Sequence, residues 1–162
     1  MKVGIIGSGG REHSLCLSLK KSNKITNLYC FPGNAGTELL AQNVDIELTN
    51  FQKLRDYIKQ NQIDIIVIGP EKPLVDGLVD YLEKNEIKVF GPNRIAAQLE
   101  GSKIFTKNLC KKYNIPTADF GIFKNLEESK SFLQKCNYPI VIKADGLAAG
   151  KGVYICENFE QS

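Results

Sequence analysis

Several residue patterns are scarce in this sequence, and their scarcity excludes whole classes of function. His13 is the only histidine, which excludes a metal centre built from several histidines. The sequence has no run of five or more lysines and arginines, and its net charge of +3 does not indicate nucleic-acid binding. The apolar runs are only a few residues long, so we predict no membrane-spanning segment.

The five cysteines also lack the spacing that a metal site or a disulfide framework needs. They lie far apart, at positions 16, 30, 110, 136 and 156, and no two form a C-x-x-C pair. We therefore expect reduced, mostly semi-buried thiols and a cytoplasmic protein. The apolar residues 3–6 are interrupted at once by Gly9–Gly10–Arg11–Glu12, a pattern that does not fit a signal peptide.

Short apolar runs alternate with helical periodicity over the first part of the chain. Strands are predicted at 3–6, 28–31, 65–68 and 89–90, with helices at 11–22, 51–60 and 73–84. The strand at 65–68 is continuously apolar, which is typical of a strand buried on both faces of a parallel sheet. This alternation predicts an α/β fold with a doubly wound, Rossmann-like parallel sheet.

The pattern changes near residue 100, where we place a domain boundary between 1–100 and 101–162. Two helical pieces broken at Gly101 occupy 93–113, and Asn114-Ile115-Pro116 is predicted to end the second. A strand at 119–123, a helix at 125–136 and strands at 140–143 and 153–156 follow, with no internal repeat. So small an α+β unit is marginal without more packing, and we expect the chain to be the front part of a longer protein.

A turn of glycine, proline or asparagine follows each predicted strand of the first domain. The turns are 7–10, 32–36, 69–71 and 91–93. Because the carboxyl ends of parallel strands share one edge, we expect these turns to line a common ligand cleft. Backbone N–H groups before a helix attract phosphate, and Arg11 adds a two-pronged donor. Glu12 and Glu71 are acceptors that suit sugar hydroxyls or an amine.

A dinucleotide site is the obvious alternative, but its fingerprint fails twice. The pattern G-x-G-x-x-G requires glycine where this chain has Glu12. It also requires an acidic residue at the end of the second strand, where the chain has Cys30, Phe31 and Pro32. A nicotinamide-dependent oxidoreductase is therefore disfavoured.

The glycine-rich segment 145–152 differs from a P-loop in spacing and in context. Gly146 and Gly150 are one residue too close, and Gly152 stands where serine or threonine is needed. Strands are predicted on both sides, so the segment is the tip of a hairpin that can fold over a triphosphate as a flap. Lys151 supplies charge, and Lys143 either meets an anion or extends into solvent from the end of its strand.

Six segments together resemble the phosphoribosylamine–glycine ligase family, also called glycinamide ribonucleotide synthetases, of the ATP-grasp superfamily. They are GSGGREH (7–13), PGNAGT (32–37), GPEKPLVDGLVD (69–80), FGPNRIAAQLEGSKIFTK (90–107), IPTADF (115–120) and PIVIKADGLAAGKGV (139–153). The resemblance implies a pre-ATP-grasp domain at 1–100 followed by the start of an ATP-grasp domain at 101–162. It runs in register over essentially the whole chain.

The resemblance implies a ligase of purine biosynthesis. ATP would phosphorylate the glycine carboxylate, and the amine of 5-phosphoribosylamine would attack the glycyl phosphate to give glycinamide ribonucleotide, ADP and phosphate. The protein would act by positioning and charge neutralisation, and no side chain of this chain is assigned as catalytic. Its partners would be these small molecules, without nucleic acid or membrane.

The resemblance also implies which residues bind each substrate. The amine substrate would contact Ser8, Gly9, Gly10, Arg11, Glu12, Gly33, Asn34, Gly36, Thr37, Pro70 and Glu71. ATP would contact Lys103, Lys143, Asp145, Gly146, Leu147, Ala148, Ala149, Gly150, Lys151 and Gly152. The family uses Mg²⁺ or Mn²⁺, with ligands expected beyond Ser162 and none within this chain.

The family's enzymes are much longer than this chain, so we expect residues 1–162 alone to have no ligase activity. Two alternatives remain open from the sequence. One is another ATP-grasp ligase or carboxylase with a similar first domain, which GGREH and PGNAGT disfavour. The other is a module that binds a sugar phosphate without catalysis.

Overall fold

The structure is a computed structural model that describes residues 1–148 and 150–162. The chain forms two compact units, Met1–Ala97 and Gln98–Ser162. Each unit has its own secondary structure.

The first unit is built on a parallel sheet of five strands. These are β1 (Lys2–Gly7), β2 (Asn27–Pro32), β3 (Gln42–Asn43), β4 (Ile65–Ile68) and β5 (Val89–Phe90). Their spatial order is β3-β2-β1-β4-β5, and each adjacent pair is parallel. The chain therefore winds outward in both directions from β1, the arrangement of a doubly wound sheet. The predicted fold class is confirmed.

Helices cover both faces of this sheet. They are α1 (Gly10–Lys20), α2 (Ala35–Glu38), α3 (Phe51–Gln60), α4 (Glu71–Asp76), α5 (Leu78–Lys84) and α6 (Arg94–Gly101), the last of which continues into the second unit. The larger apolar core includes Ile66, Leu54 and Leu82, and so packs α3 and α5 against the sheet. The smaller one, on the other face, includes Ile5 and Cys16 of α1. Burial on both faces explains the continuous apolar strand β4.

The predicted helix at 73–84 is in fact two helices, because Gly77 interrupts it. Gly77 has φ +93°, a left-handed conformation that ends α4 and precedes α5. Pro73 lies in the first turn of α4, where its missing N–H costs no helical hydrogen bond. The short elements α2 and β3 carry too little periodicity for sequence prediction.

Two consecutive helix-to-strand connections of this unit repeat the same local structure, although no internal repeat was predicted. Asn61 Nδ2 donates to Tyr57 O at 2.9 Å after α3, and Asn85 Nδ2 donates to Tyr81 O at 2.8 Å after α5. The next residues, Gln62 and Glu86, both have a left-handed φ, of 53° and 63°. Each connection then enters a strand through a buried isoleucine.

The second unit has helices α7 (Lys103–Lys112) and α8 (Leu126–Leu133), strands β6 (Ile140–Lys143) and β7 (Val153–Cys156), and a 3₁₀ turn at Phe159–Gln161. The predicted strand at 119–123 is wrong, because these residues form no strand. Helix α7 ends before the predicted proline stop, since Asn114 adopts a left-handed φ of 54°. Its first turn is capped by Ser102, whose Oγ accepts from Phe105 N at 3.1 Å.

Strands β6 and β7 form an antiparallel hairpin with Lys143 opposite Val153. The glycine-rich segment therefore connects the two strands of a hairpin, as its sequence context predicted. Ala144 N donates to Gly152 O at 2.8 Å and continues the pairing into the loop.

Candidate functional site

A cleft of about 490 Å³ lies at the carboxyl edge of β1 and β4 in the first unit. Its lining comes from the turn after β1, from the approach to α3 and from the turn and first helix after β4. The lining residues are Gly7, Ser8, Gly9, Gly10, Arg11, Glu12, Leu48, Thr49, Pro70, Glu71, Lys72, Pro73 and Asp76. Of the four turns expected to line a common cleft, 7–10 and 69–71 meet here, whereas 32–36 and 91–93, which the structure also describes, contribute no lining residue.

An ion pair between Arg11 and Glu71 joins these two turns. Arg11 Nη2 donates to Glu71 Oε1 at 3.0 Å, and Arg11 Nη1 donates to the Gly69 carbonyl. The Glu71 carboxylate accepts from its own backbone N–H and from the Arg11 guanidinium, and these contacts hold its pKa below its usual range. Glu71 is therefore an ionised acceptor at neutral pH, oriented by the arginine.

Glu12 is buried at the base of the first turn, with 4% of its surface exposed. Its Oε2 accepts from Gly9 N at 2.6 Å, which caps the start of α1. A Cβ at Gly7 would lie 2.6 Å from the Glu12 Cδ, and a Cβ at Gly69 would overlap Oε1. The glycines at the ends of β1 and β4 thus leave room for a carboxylate where a dinucleotide fold has its third glycine.

The turn after β2 forms hydrogen bonds with the turn after β1. Asn34 Nδ2 donates to Ser8 O at 2.8 Å and to Gly9 O at 3.2 Å. Thr37 is fully buried, and its hydroxyl donates to Asn43 Oδ1 at 2.7 Å. Within the described part of the chain, the predicted binding residues Gly33, Asn34, Gly36 and Thr37 do not line the cleft. Gly33 and Asn34 bond to the turn after β1, whereas Gly36 and Thr37 bond to Asn34 and Asn43.

Five lining residues escaped sequence reasoning: Leu48, Thr49, Lys72, Pro73 and Asp76. Leu48 and Thr49 precede α3 and carry no motif of their own. Lys72 and Asp76 are spaced i, i+4 on α4, and the lysine Nζ lies 2.5 and 2.6 Å from the two carboxylate oxygens. Both residues lie within the segment 69–80 that carries the family resemblance, and this, together with their i, i+4 spacing next to Glu71, was a signal that could have indicated them.

In the second unit, the glycine-rich segment begins against the first turn of α7. Asp145 accepts from Ser102 Oγ at 3.1 Å and from Ile104 N at 3.2 Å, and Lys103 Nζ donates to Gly146 O at 2.8 Å. Burial alone would raise the pKa of Asp145. The hydrogen bonds from the Ile104, Gly146 and Lys103 N–H groups and from Ser102 outweigh it and leave the pKa below its usual range.

The remaining predicted ATP contacts lie along the hairpin. Lys143 ends β6 with its side chain exposed, and Lys151 is exposed near the tip. Gly146 and Gly150 have φ of +88° and +78°, which other residues rarely adopt. Ala149 lies outside the described residues.

The described residues also bear on metal and membrane sites. Among them, no three His, Cys, Asp or Glu side chains cluster closely enough to hold a metal ion. Of the helices described, none is long and apolar enough to cross a membrane.

Comparison with known proteins identifies two consecutive family domains. Residues 1–100 match the phosphoribosylglycinamide synthetase N domain, and residues 101–162 match the ATP-grasp (A) domain of the same synthetase. A phosphoribosylamine–glycine ligase of Clostridium acetobutylicum is 51% identical over 99% of this chain. A ligase of the same name from Caldanaerobacter subterraneus is 48% identical over 98%.

Solved structures agree with this assignment. A phosphoribosylamine–glycine ligase from Thermotoga maritima superposes with a TM-score of 0.78 and 36% identity, covering 99% of this chain and 37% of its own. An N5-carboxyaminoimidazole ribonucleotide synthetase from the same organism gives a TM-score of 0.74 at 21% identity, with 99% of this chain and 43% of its own covered. At that identity the likeness shows the fold alone.

The chain spans 38% of the length of the two curated relatives. Within that span the predicted resemblance and the fold class, including a partial ATP-grasp domain, are confirmed. The two family domains together cover residues 1–162, and the two curated relatives carry the same name. The chain belongs to the phosphoribosylglycinamide synthetase family.

Proposed function

We propose that this chain forms part of an enzyme that joins glycine to 5-phosphoribosylamine at the expense of ATP. The observation that carries the proposal is the 51% identity, over 99% of the chain, to a protein named phosphoribosylamine–glycine ligase. The product would be glycinamide ribonucleotide, an intermediate of purine biosynthesis. Such a reaction uses small metabolites and fits a cytoplasmic enzyme.

The cleft of the first unit is the proposed site for 5-phosphoribosylamine. The backbone of Ser8, Gly9 and Gly10 lines the cleft at the start of α1, and the N-terminus of a helix favours anionic groups. The ionised Glu71, oriented by Arg11, is an acceptor for ribose hydroxyls or the amine. Pro70 completes this wall of the cleft.

The second unit contributes the proposed ATP contacts. Lys103 and Lys143 carry ammonium groups that suit the phosphates. The segment 145–152 joins the two strands of a hairpin, and its left-handed glycines permit a close backbone approach to a nucleotide.

The proposed chemistry has two steps. A glycine carboxylate oxygen attacks the terminal phosphorus of ATP, the bond to the bridging oxygen breaks, and ADP leaves. The amine of 5-phosphoribosylamine then attacks the acyl carbon of glycyl phosphate, inorganic phosphate leaves, and the nitrogen loses a proton. The residues of this chain act by holding reactants and balancing charge.

Mg²⁺ or Mn²⁺, as used by ATP-dependent ligases, would neutralise phosphate charge when bound. The described residues contain no cluster of three His, Cys, Asp or Glu side chains that could hold such an ion. We therefore assign no residue of this chain as a ligand of the ion.

An activity assay tests the proposal. A protein carrying these residues should form ADP only when glycine and 5-phosphoribosylamine are both present, with glycinamide ribonucleotide detected by mass spectrometry. ADP formation in the absence of either glycine or 5-phosphoribosylamine would overturn the proposal. Residues 1–162 alone should show no turnover. Binding of a sugar phosphate by the whole protein with no ADP formed would instead favour a binding module.

Calorimetry with ribose 5-phosphate tests the cleft. Arg11→Ala and Glu71→Ala should each weaken binding by about tenfold, because each removes a charged hydrogen bond of roughly 1.4 kcal/mol or more. Arg55→Ala is the matched control, since Arg55 pairs with Asp56 on α3, away from the cleft. Unchanged affinity in both cleft variants would show that the sugar binds elsewhere.

A further inference from the structure

Asp145 has a different environment from the other described residues of the glycine-rich segment. Its carboxylate lies at the start of α7, with both oxygens 3.1 Å from Ser102 Oγ and Oδ1 3.2 Å from Ile104 N. Ser102 is itself the N-cap of that helix. Asp145 thus adds a second capping acceptor from a distant part of the sequence, at the end where a helix favours negative charge.

A second contact joins the same two segments. Lys103, the first residue of α7, donates from Nζ to the carbonyl of Gly146 at 2.8 Å. Two glycines of the segment face open space, because a Cβ at Gly146 or Gly150 would meet nothing within 4 Å. Asp145 and Gly146, the first two residues of the loop, are therefore bound to the start of α7, and the Lys103 side chain is held beside them.

We propose that Asp145 is a positioning residue that fastens the glycine-rich segment to the first turn of α7 and so holds Lys103 beside it. Its acceptor oxygens are directed to protein donors of α7. On this view the nucleotide contacts come from Lys103 and the later residues of the loop. The consequence for ATP rests on the proposed function, whereas the fastening itself does not.

Limited trypsin digestion tests the fastening without any nucleotide. Lys151 is exposed near the hairpin tip, so cleavage after it reports how often the segment leaves its place. Asp145→Ala should speed this cleavage by about three- to tenfold, the effect of losing roughly 1 kcal/mol of partly exposed, charged hydrogen bonding. Asp145→Asn retains one acceptor oxygen and should fall between the alanine variant and the unaltered protein.

Two references make the digestion specific. Cleavage after Lys124, exposed before α8, should proceed at the same rate in every variant and serves as the internal standard. Asp119→Asn, at another exposed aspartate of the same unit, should leave the Lys151 rate unchanged. An unaltered Lys151 rate in Asp145→Ala would overturn the proposal, as would an equal acceleration at Lys124.

A double-mutant cycle on ATP affinity separates positioning from direct contact. If Asp145 acts through α7, Ser102→Ala and Asp145→Asn each weaken ATP binding by about threefold, and the double variant is no weaker than the worse single one. If Asp145 contacts the nucleotide, the two losses multiply to about ninefold, and the proposal is overturned. Absence of ATP binding by the unaltered protein would refute the proposed function while leaving the digestion result standing.

Discussion

At the scale of single residues, the buried carboxylate of Glu12 determines which residues fit around it. It caps α1 through Gly9 N and fills the space between the ends of β1 and β4. A sequence pattern would explain the glycines of this region by phosphate contact alone. They are needed for a second reason, because larger residues would collide with the Glu12 side chain. Gly7 combines that crowding with a left-handed φ of 126°.

Gly69→Ala should destabilise the first unit by about 2 kcal/mol or more, because its Cβ would overlap Glu12 Oε1. Gly10→Ala is the matched control, since a Cβ there meets nothing within 4 Å and alanine favours the first turn of α1. Thermal unfolding of both variants measures the difference. Adding Glu12→Ala to Gly69→Ala should restore part of the loss, and equal unfolding temperatures for Gly69→Ala and Gly10→Ala would contradict this account.

At the scale of elements, the connections after α3 and α5 show how similar sequences make similar structures. In each, an asparagine side chain caps the last turn and the next residue adopts a left-handed conformation. Glycine is the residue that adopts this conformation without strain, yet the chain has Gln62 and Glu86 there. The first unit thus carries two positions where a single change should stabilise it.

Glu86→Gly should raise the free energy of unfolding by about 1 kcal/mol, since glycine removes the cost of a left-handed φ at a residue with a side chain. Glu83→Gly, three residues earlier and inside α5, should lower it by about 0.5 to 1 kcal/mol. Urea unfolding of the two variants checks the opposite signs. A loss of stability in both would show that the Glu86 side chain stabilises the connection.

At the scale of the whole molecule, the five cysteines differ in how deeply they are buried. All five are free, with Cys16, Cys30 and Cys156 buried and Cys110 and Cys136 partly exposed. Burial raises the pKa of the Cys16 thiol and raises that of Cys30 to about 12, so neither is a thiolate at neutral pH. All five thiols are free, as predicted, but the prediction that most of them are semi-buried is wrong, because three of the five are buried.

A thiol-specific reagent at neutral pH should therefore modify at most Cys110 and Cys136 rapidly in the folded protein, and all five cysteines after unfolding. Mass spectrometry of the early reaction identifies the sites. A Cys110→Ser variant should lose one of the fast modifications and keep the rest. Rapid modification of Cys30 in the folded protein would contradict the burial of the sheet's smaller core.

The sequence by itself determined the strands β1, β2 and β4, the helix α3 and the hairpin context of the glycine-rich segment. These features depend on local periodicity and on residues with restricted backbone preferences, which neighbours in sequence reveal. The strand expected at 119–123 did not form, since these residues pair with no other segment among the residues that the structure describes. Gly77 divided one predicted helix in two, a choice that a glycine permits but does not require.

Only the tertiary structure decided which residues line the candidate site and which bond to other parts of the protein. Asn34 and Thr37 lie in a motif typical of binding, yet their hydrogen bonds go to neighbouring protein groups. Lys72 and Asp76 lie within the segment GPEKPLVDGLVD (69–80) but were not predicted as site residues, yet they line the cleft. Asp145 reaches the start of α7 across more than forty residues of sequence. Hydrogen bonds between residues distant in sequence depend on how the helices and strands pack. Local periodicity and motif spacing do not reveal this packing.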